Sequence, residues 1–308
     1  MSAHRTIQLI APSGYPPDPA VVQRGIARLR EEGHQVVGLE ATERRYQRFA
    51  GTDSQRAAEL NRFADPSRSL PDIALAVRGG YGAVRILHGL DYAGLQRRLA
   101  GRPIAFVGHS DFTAIQLALY SQAGLTTFGG PMLLSDFGAE TLNAFTVNHF
   151  WNALTSPSFT LKVDAPQVQS ANVSGVLWGG NLSILASLVG TPFMPWINDG
   201  ILFIEDVNEQ PFRIERMIYQ LHLSGIIARQ RALLIGDFSG GKSFDYDNGY
   251  TLQEMIEQVR SVVGVPVITG LPFGHVPELV TLPFGGNAEL QANPQGFELQ
   301  VSGYPHLS

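Results

Sequence analysis

A serine at the end of one apolar run, two carboxylates at the end of another and a histidine just past a third are the residues of this chain that could together cleave an acyl bond. The serine lies in Ile104-Ala105-Phe106-Val107-Gly108-His109-Ser110-Asp111-Phe112. The pattern predicts a strand that turns sharply into a helix running to about Gln122. Such a turn can hold the Ser110 hydroxyl out at the carboxyl edge of a sheet and aim the Asp111 amide at a developing oxyanion. Small Gly108 would allow the turn, although the string is not the usual G-x-S-x-G. The competing reading is that Ser110 simply caps the helix.

A serine nucleophile needs an imidazole free to take its proton. Of the eight histidines, His109 adjoins Ser110, and its side chain is expected to leave the turn in another direction. His34 follows a helix-ending glycine, His88, His149 and His222 fall on predicted helices, and His4 and His306 lie near the termini. His275 differs, because it follows Val267-Ile268-Thr269-Gly270 and the loop Leu271-Pro272-Phe273-Gly274, just beyond a strand end. The acid could come from Ile201-Leu202-Phe203-Ile204-Glu205-Asp206. Either Glu205 or Asp206 could fix the imidazole tautomer and steady the imidazolium. Either could instead cap a helix beginning near Pro211.

Arg78-Gly79-Gly80-Tyr81-Gly82 also sits between a predicted strand and a predicted helix. Backbone without side chains can approach a ligand closely and present amides to negative charge. The cluster is open to three readings: a phosphate cradle, an oxyanion donor or a tight turn. It lacks the three-glycine spacing and the following acidic residue of a dinucleotide fingerprint. No His-Glu-x-x-His string or comparable ligand cluster suggests a metal.

The elements that must position these residues follow a clear order. Thr6–Ala11, Val36–Glu40, Ile73–Val77 and Ile104–Val107 read as strands. Helices are expected from about Pro19 to Glu32 and from Thr52 to Ala64, the latter opened by a Thr52/Gln55 capping box. Strands alternating with helices specify a largely parallel sheet. Periodicity fails from Thr155 to Ser174, where prolines and a run of Gln, Ser and Asn predict a linker at 159–174 between domains at 1–158 and 175–308. Shorter strands are expected at Val173–Leu177, Ile201–Glu205, Ala232–Ile235, Val265–Ile268, Leu279–Leu282 and Phe297–Val301, which suggests an α+β or barrel-like second domain.

Composition narrows the function classes. A chain of 308 residues can bury roughly 75% of its unfolded surface without staples. Cysteine is absent, which removes disulfides, thiol nucleophiles and thiolate metal sites. The apolar stretch Ile7–Ala11 is too short for a signal-peptide core, and no run approaches the ~20 residues of a membrane span. The protein is therefore expected to be soluble and unexported. A net charge of −5 with scattered basic residues disfavours nucleic acid as a partner.

Together these segments resemble the LD-carboxypeptidase family, in particular its muramoyltetrapeptide carboxypeptidase branch of bacterial cell-wall recycling. The resemblance spans nearly the whole chain and includes Leu9-Ile10-Ala11-Pro12-Ser13-Gly14-Tyr15, Val77-Arg78-Gly79-Gly80-Tyr81-Gly82, Gly108-His109-Ser110-Asp111-Phe112-Thr113-Ala114, Leu177-Trp178-Gly179-Gly180-Asn181-Leu182, Ile204-Glu205-Asp206 and Gly270-Leu271-Pro272-Phe273-Gly274-His275. It implies Ser110 as nucleophile, Glu205 rather than Asp206 as acid, His275 as base, and oxyanion amides at Asp111 and most naturally Gly80. It also implies that Asn181 contacts substrate. Arg78 and Asn181, beside the glycine turns, are the candidates for holding the terminal carboxylate, and Gly79 is placed with them in the substrate-binding set. The implied α/β architecture is a Rossmann-like amino-terminal domain and a smaller, swivelling, barrel-like α+β carboxyl-terminal domain, paired as a homodimer in the cytoplasm. The implied reaction needs no metal or organic cofactor and releases D-alanine from a muropeptide tetrapeptide.

Two other readings predict different features. An immunity-type peptidase acting on a peptidyl-nucleotide antibiotic would need an aromatic clamp, for which Trp178 and Trp196 are candidates. A non-catalytic small-ligand-binding module would use Arg78 to Gly82 as its cradle.

Overall fold

The computed structural model describes residues 4–241 and 244–308, and in it the short apolar runs of the first half become neighbours in one sheet. β1 (Thr6–Ile10), β2 (Gln35–Val37), β3 (Ile73–Ala76), β4 (Ala105–Gly108) and β5 (Thr127–Gly129) pair in parallel in the order β5-β4-β3-β1-β2. Every residue of β3 and β4 is buried, as a sheet covered on both faces requires. The helices of this half are α1 (Pro19–Glu31), α2 (Glu40–Glu43), α3 (Asp53–Asn61), α4 (Tyr92–Leu99), α5 (Thr113–Ala123) and α6 (Ala144–Thr155). α1 starts where the Asp18 carboxylate accepts from Ala20 N and Val21 N, and it buries Val22, Ile26 and Leu29. The Thr52/Gln55 capping box forms at the start of α3. Glu40, expected at the end of the second strand, instead opens α2, because Gly38 turns the chain with a φ of +75°.

The second half builds a mixed sheet. Its strands are β6 (Ser158–Val163), β7 (Ala171–Asn181), β8 (Gly200–Val207), β9 (Gln230–Ser239), β10 (Val267–Thr269) and, after β11 (Leu282–Phe284), β12 (Asn287–Asn293) and β13 (Gly296–Ser302). The order is β10-β9-β8-β7-β12-β13-β6, parallel from β10 to β7 and antiparallel from β7 to β6. β11 leaves this sheet and pairs antiparallel with β5. Leu279, Val280 and Thr281, expected in a strand, precede it as buried loop: Leu279 N donates to Thr146 Oγ1 at 2.8 Å and Val280 N to Pro272 O at 2.8 Å, outside any ladder. The remaining helices are α7 (Leu182–Leu188), α8 (Pro211–Leu223) and α9 (Leu252–Val262). No helix among the described residues is long and apolar enough to cross a membrane.

The stretch expected as a linker, 159–174, carries most of β6 and the start of β7. Between those strands it runs beside the free edge of β10. Gln167 donates to Thr269 O at 2.9 Å and accepts from Thr269 N at 2.9 Å, while Gln169 accepts from Val267 N at 2.7 Å. Side-chain amides thus satisfy backbone groups that an edge strand would leave open. The polar residues that broke the periodicity close the sheet's β6 side toward its β10 side. The two halves also share a core. α5 is buried on almost its whole surface, with Phe112, Ile115, Leu182 and Leu185 in one cluster that runs from the first sheet to α7.

Candidate active site

Ser110 stands where β4 passes into α5, with a φ of +61°. Non-glycine residues seldom enter this left-handed region, and they do so where a turn must aim a side chain outward. Gly108 serves packing: a Cβ there would lie 2.8 Å from Ala76 Cβ and 2.8 Å from the Phe112 ring. Among the described residues the Ser110 hydroxyl accepts no capping hydrogen bond from a helix amide, which removes the capping reading.

Two loops converge on this turn. A Cβ on Gly79 would sit 2.7 Å from Ser110 Cβ and 2.8 Å from its Oγ, so only glycine admits the contact. The next residue, Gly80, has a φ of +92°. Asp111 ties the loops together, because its Oδ2 accepts from Ser13 Oγ at 2.6 Å and from Ala83 N at 2.8 Å. Burial pushes the Asp111 carboxyl upward, against the opposing pull of these two donors. Fully buried Arg56 bridges the same loops by donating to Pro12 O and Gly82 O. Ser13 lay within a recognisable motif, but nothing local in the sequence indicated its partner.

Arg78 is half-buried, donates to Tyr15 O at 3.2 Å, and has no carboxylate in ion-pair range among the described residues. Burial, and then the charge of Arg48, lower its pKa. A guanidinium still keeps its proton at neutral pH. The result is a partly desolvated, unneutralised cation beside the glycine turn.

The other side of the junction is built by the second sheet. β7 and β8 are parallel neighbours with Asn181 opposite Glu205, so both side chains reach the carboxyl edge together. Glu205 is fully buried, and a buried carboxylate must find donors. Its Oε1 accepts from Asn181 Nδ2 at 3.1 Å, and its Oε2 receives His275 Nδ1 at 2.9 Å. A carboxylate acceptor assigns the imidazole proton to Nδ1 and leaves the Nε2 lone pair free. Burial lowers the His275 pKa, but the hydrogen bond to Glu205 and the charges of Glu205, Asp206 and Asp136 outweigh it, and the net shift is upward. The His275 loop presses against β9, with Asp237 N donating to Phe273 O at 2.8 Å and Gly274 at a φ of +142°.

Asp206 does not cap the helix near Pro211. It accepts from Asn181 Nδ2 at 3.1 Å and from Ser183 N at 2.8 Å, in the first turn of α7. Asn181 was expected to contact substrate, yet its side chain is spent within the protein. Its nitrogen serves Glu205 and Asp206, and its oxygen accepts from Ser183 Oγ at 2.7 Å and Ile184 N at 3.2 Å.

The two halves meet here. His109 packs its ring edge-on against His275, with centroids 5.1 Å apart, and its Nδ1 lies 2.9 Å from Gly130 O. It was expected to leave the turn in another direction than Ser110, and it lies between the other histidine and Gly130. One turn into α5, Thr113 Oγ1 accepts from Asn181 N at 3.0 Å. Trp178 is buried and donates to Gln230 Oε1, while Trp196 is exposed under Arg229 at the amino end of β8, opposite Glu205.

A strained serine beside open amides, with a carboxylate-oriented imidazole across the junction, has the parts for acyl transfer. The comparisons agree in kind. Residues 7–130 match the family model "LD-carboxypeptidase N-terminal domain", and residues 174–290 match "LD-carboxypeptidase C-terminal domain". A Bacillus subtilis protein named "Probable murein peptide carboxypeptidase" is 31% identical, covering 88% of this chain and 83% of its own length. The crystal structure of muramoyltetrapeptide carboxypeptidase from Oxalobacter formigenes is 44% identical with a TM-score of 0.89, covering 97% of this chain and 99% of that one. The microcin C7 self-immunity protein MccF of Escherichia coli is 27% identical over 82% of this chain and 80% of its own. With both family domains matched in order across most of its length, the chain belongs to the LD-carboxypeptidase family of serine carboxypeptidases.

Proposed function

We propose that this enzyme removes the terminal D-alanine from muropeptide tetrapeptides, cutting the bond from the L-centre of meso-diaminopimelate, with Ser110 as nucleophile, His275 as general base and Glu205 as its orienting acid. The observation that carries this reading is the 2.9 Å hydrogen bond from His275 to buried Glu205, on an imidazole that packs against the residue preceding Ser110.

His275 Nε2 takes the Ser110 proton as Oγ attacks the carbonyl. The amides of Gly80 and Asp111 hold the oxyanion, and Gly79 gives the substrate room to approach them. The C–N bond then breaks as the imidazolium returns its proton to the departing amine, and water repeats the cycle on the acyl-enzyme. Arg78 holds the terminal carboxylate, a role supported by its lack of an acidic partner. Asn181 acts as a positioning residue for Glu205. The division at 159–174, with the nucleophile before it and its partners after it, belongs to the same reading. So do action in the cytoplasm, a place in peptidoglycan recycling and a homodimeric state, all of which rest on the family resemblance.

The test is mass-spectrometric detection of D-alanine release from a disaccharide tetrapeptide by wild type and by folded Ser110→Ala, Glu205→Ala and His275→Ala. Release that falls ~10³-fold or more in the Ser110 and His275 variants is expected. A folded wild type that releases none, but hydrolyses a peptidyl-nucleotide, would overturn the substrate assignment.

A further inference from the structure

Beside His275 lies a cavity of about 380 Å³ that the mechanism above leaves unused. Its walls include Phe137, Leu142, Val147 and Pro277, which suit an aliphatic chain, and one carboxylate, that of Asp136. Asp136 is half-buried. Its Oδ2 is held by Met132 N at 2.8 Å and Ser135 Oγ at 2.6 Å, while its Oδ1 accepts nothing among the described residues. No lysine or arginine pairs with it among those residues. A carboxylate held rigid by one oxygen, with the other free above an apolar wall, is suited to a ligand cation at the end of a methylene chain.

Resting on the proposed reaction, we infer that this cavity receives the side chain of the residue whose carbonyl Ser110 attacks, and that Asp136 selects an acyl residue ending in a free amine. The leaving residue does not fit the site as well. Its terminal carboxylate has no ammonium beside it to offset repulsion by Asp136, and an alanine methyl would leave most of the space empty. The acyl residue of the proposed substrate carries an ammonium and a carboxylate together on the distal carbon of an aliphatic chain; the ammonium matches Asp136, and Thr141 and Asn143 of the same wall offer donors to the carboxylate. The positive shift that Asp136 contributes to His275 is consistent with its charge reaching the reacting centre.

The test compares kcat/KM for D-alanine release from three tetrapeptides whose third residue is meso-diaminopimelate, L-lysine or L-norleucine, the last having no amine. Wild type should favour the two amine-bearing peptides over norleucine. Asp136→Asn keeps an acceptor for Met132 N but removes the charge, and it should shrink that preference, read as the ratio of kcat/KM between the amine-bearing and norleucine peptides, roughly 10- to 100-fold. Thr141→Lys, on an exposed residue of the same cavity, should shrink it likewise and decides the matter if Asp136→Asn fails to fold. An unchanged preference in either folded variant, or an equal loss on all three peptides in Asp136→Asn, overturns the role of Asp136 alone. Absence of release from every peptide by folded wild type overturns the proposed reaction, and this inference with it.

Discussion

Glu205 and His275, 70 positions apart in the chain, meet at 2.9 Å, and the carboxylate oxygen turned away from the imidazole is held by Asn181. The pair therefore has one geometry. Glu205 is fully buried and cannot turn without losing both partners.

The pH profile should report this pair. As the proposed base, His275 would act only when neutral, and Glu205 holds its pKa above the ordinary imidazole value of about 6.5. Activity should fall as pH drops through that raised value. Glu205→Gln should move the acidic limb of kcat/KM to lower pH and also reduce the plateau. The linked stability has the opposite sense. It is fully present below about pH 6.5 and is lost as pH rises through the folded-state value. Denaturant titrations of wild type and His275→Gln should differ more at low pH than at high pH.

Asn181→Ala should leave Glu205 Oε1 short of a donor in a buried setting, at a cost of about 1–3 kcal/mol in stability. Because Asn181 stands behind the acid, kcat should fall while KM stays near its wild-type value. A rise in KM alone would return Asn181 to a substrate-contacting role.

Gly79→Ala would drive a methyl group to within 2.8 Å of Ser110 Oγ, the proposed nucleophile. Displacing that oxygen by even ~1 Å can cost about 10²-fold in rate. Steady-state kinetics should show at least that loss, with thermal unfolding little changed. Near-wild-type turnover would mean that the serine turn gives way.

Arg78→Ala should raise KM for the free-acid tetrapeptide roughly 10- to 100-fold, the range expected for losing a charge-assisted contact. The corresponding amide, which lacks the terminal carboxylate, should be turned over equally by both forms. An unchanged KM for the free acid would exclude the contact.

Much of this molecule was legible in its sequence because the relevant signals are local. Apolar runs closed by glycine mark β1, β3 and β4, and Thr52 with Gln55 marks the start of α3. The order Gly108-His109-Ser110-Asp111 marks the turn into α5, since strand, turn and helix are encoded within a few residues. The same local view did not show that strands begin and end within 159–174, or that Gln167 and Gln169 serve a strand about a hundred positions away. It also assigned Leu279 to a strand that begins three residues later in the other sheet.

The sequence by itself determined which residue types could act, namely a serine on a strained turn, a histidine beyond a strand end and a carboxylate at another strand end. The resemblance already favoured Glu205 over Asp206; the tertiary structure shows that Glu205 turns toward His275 and Asp206 toward α7. It also brought His109 onto His275, moved Asn181 behind the acid and opened the cavity at Asp136. The reason is physical. Backbone conformation follows from neighbouring residues, whereas the partner of a buried polar group depends on which distant strand ends at the same edge of a sheet.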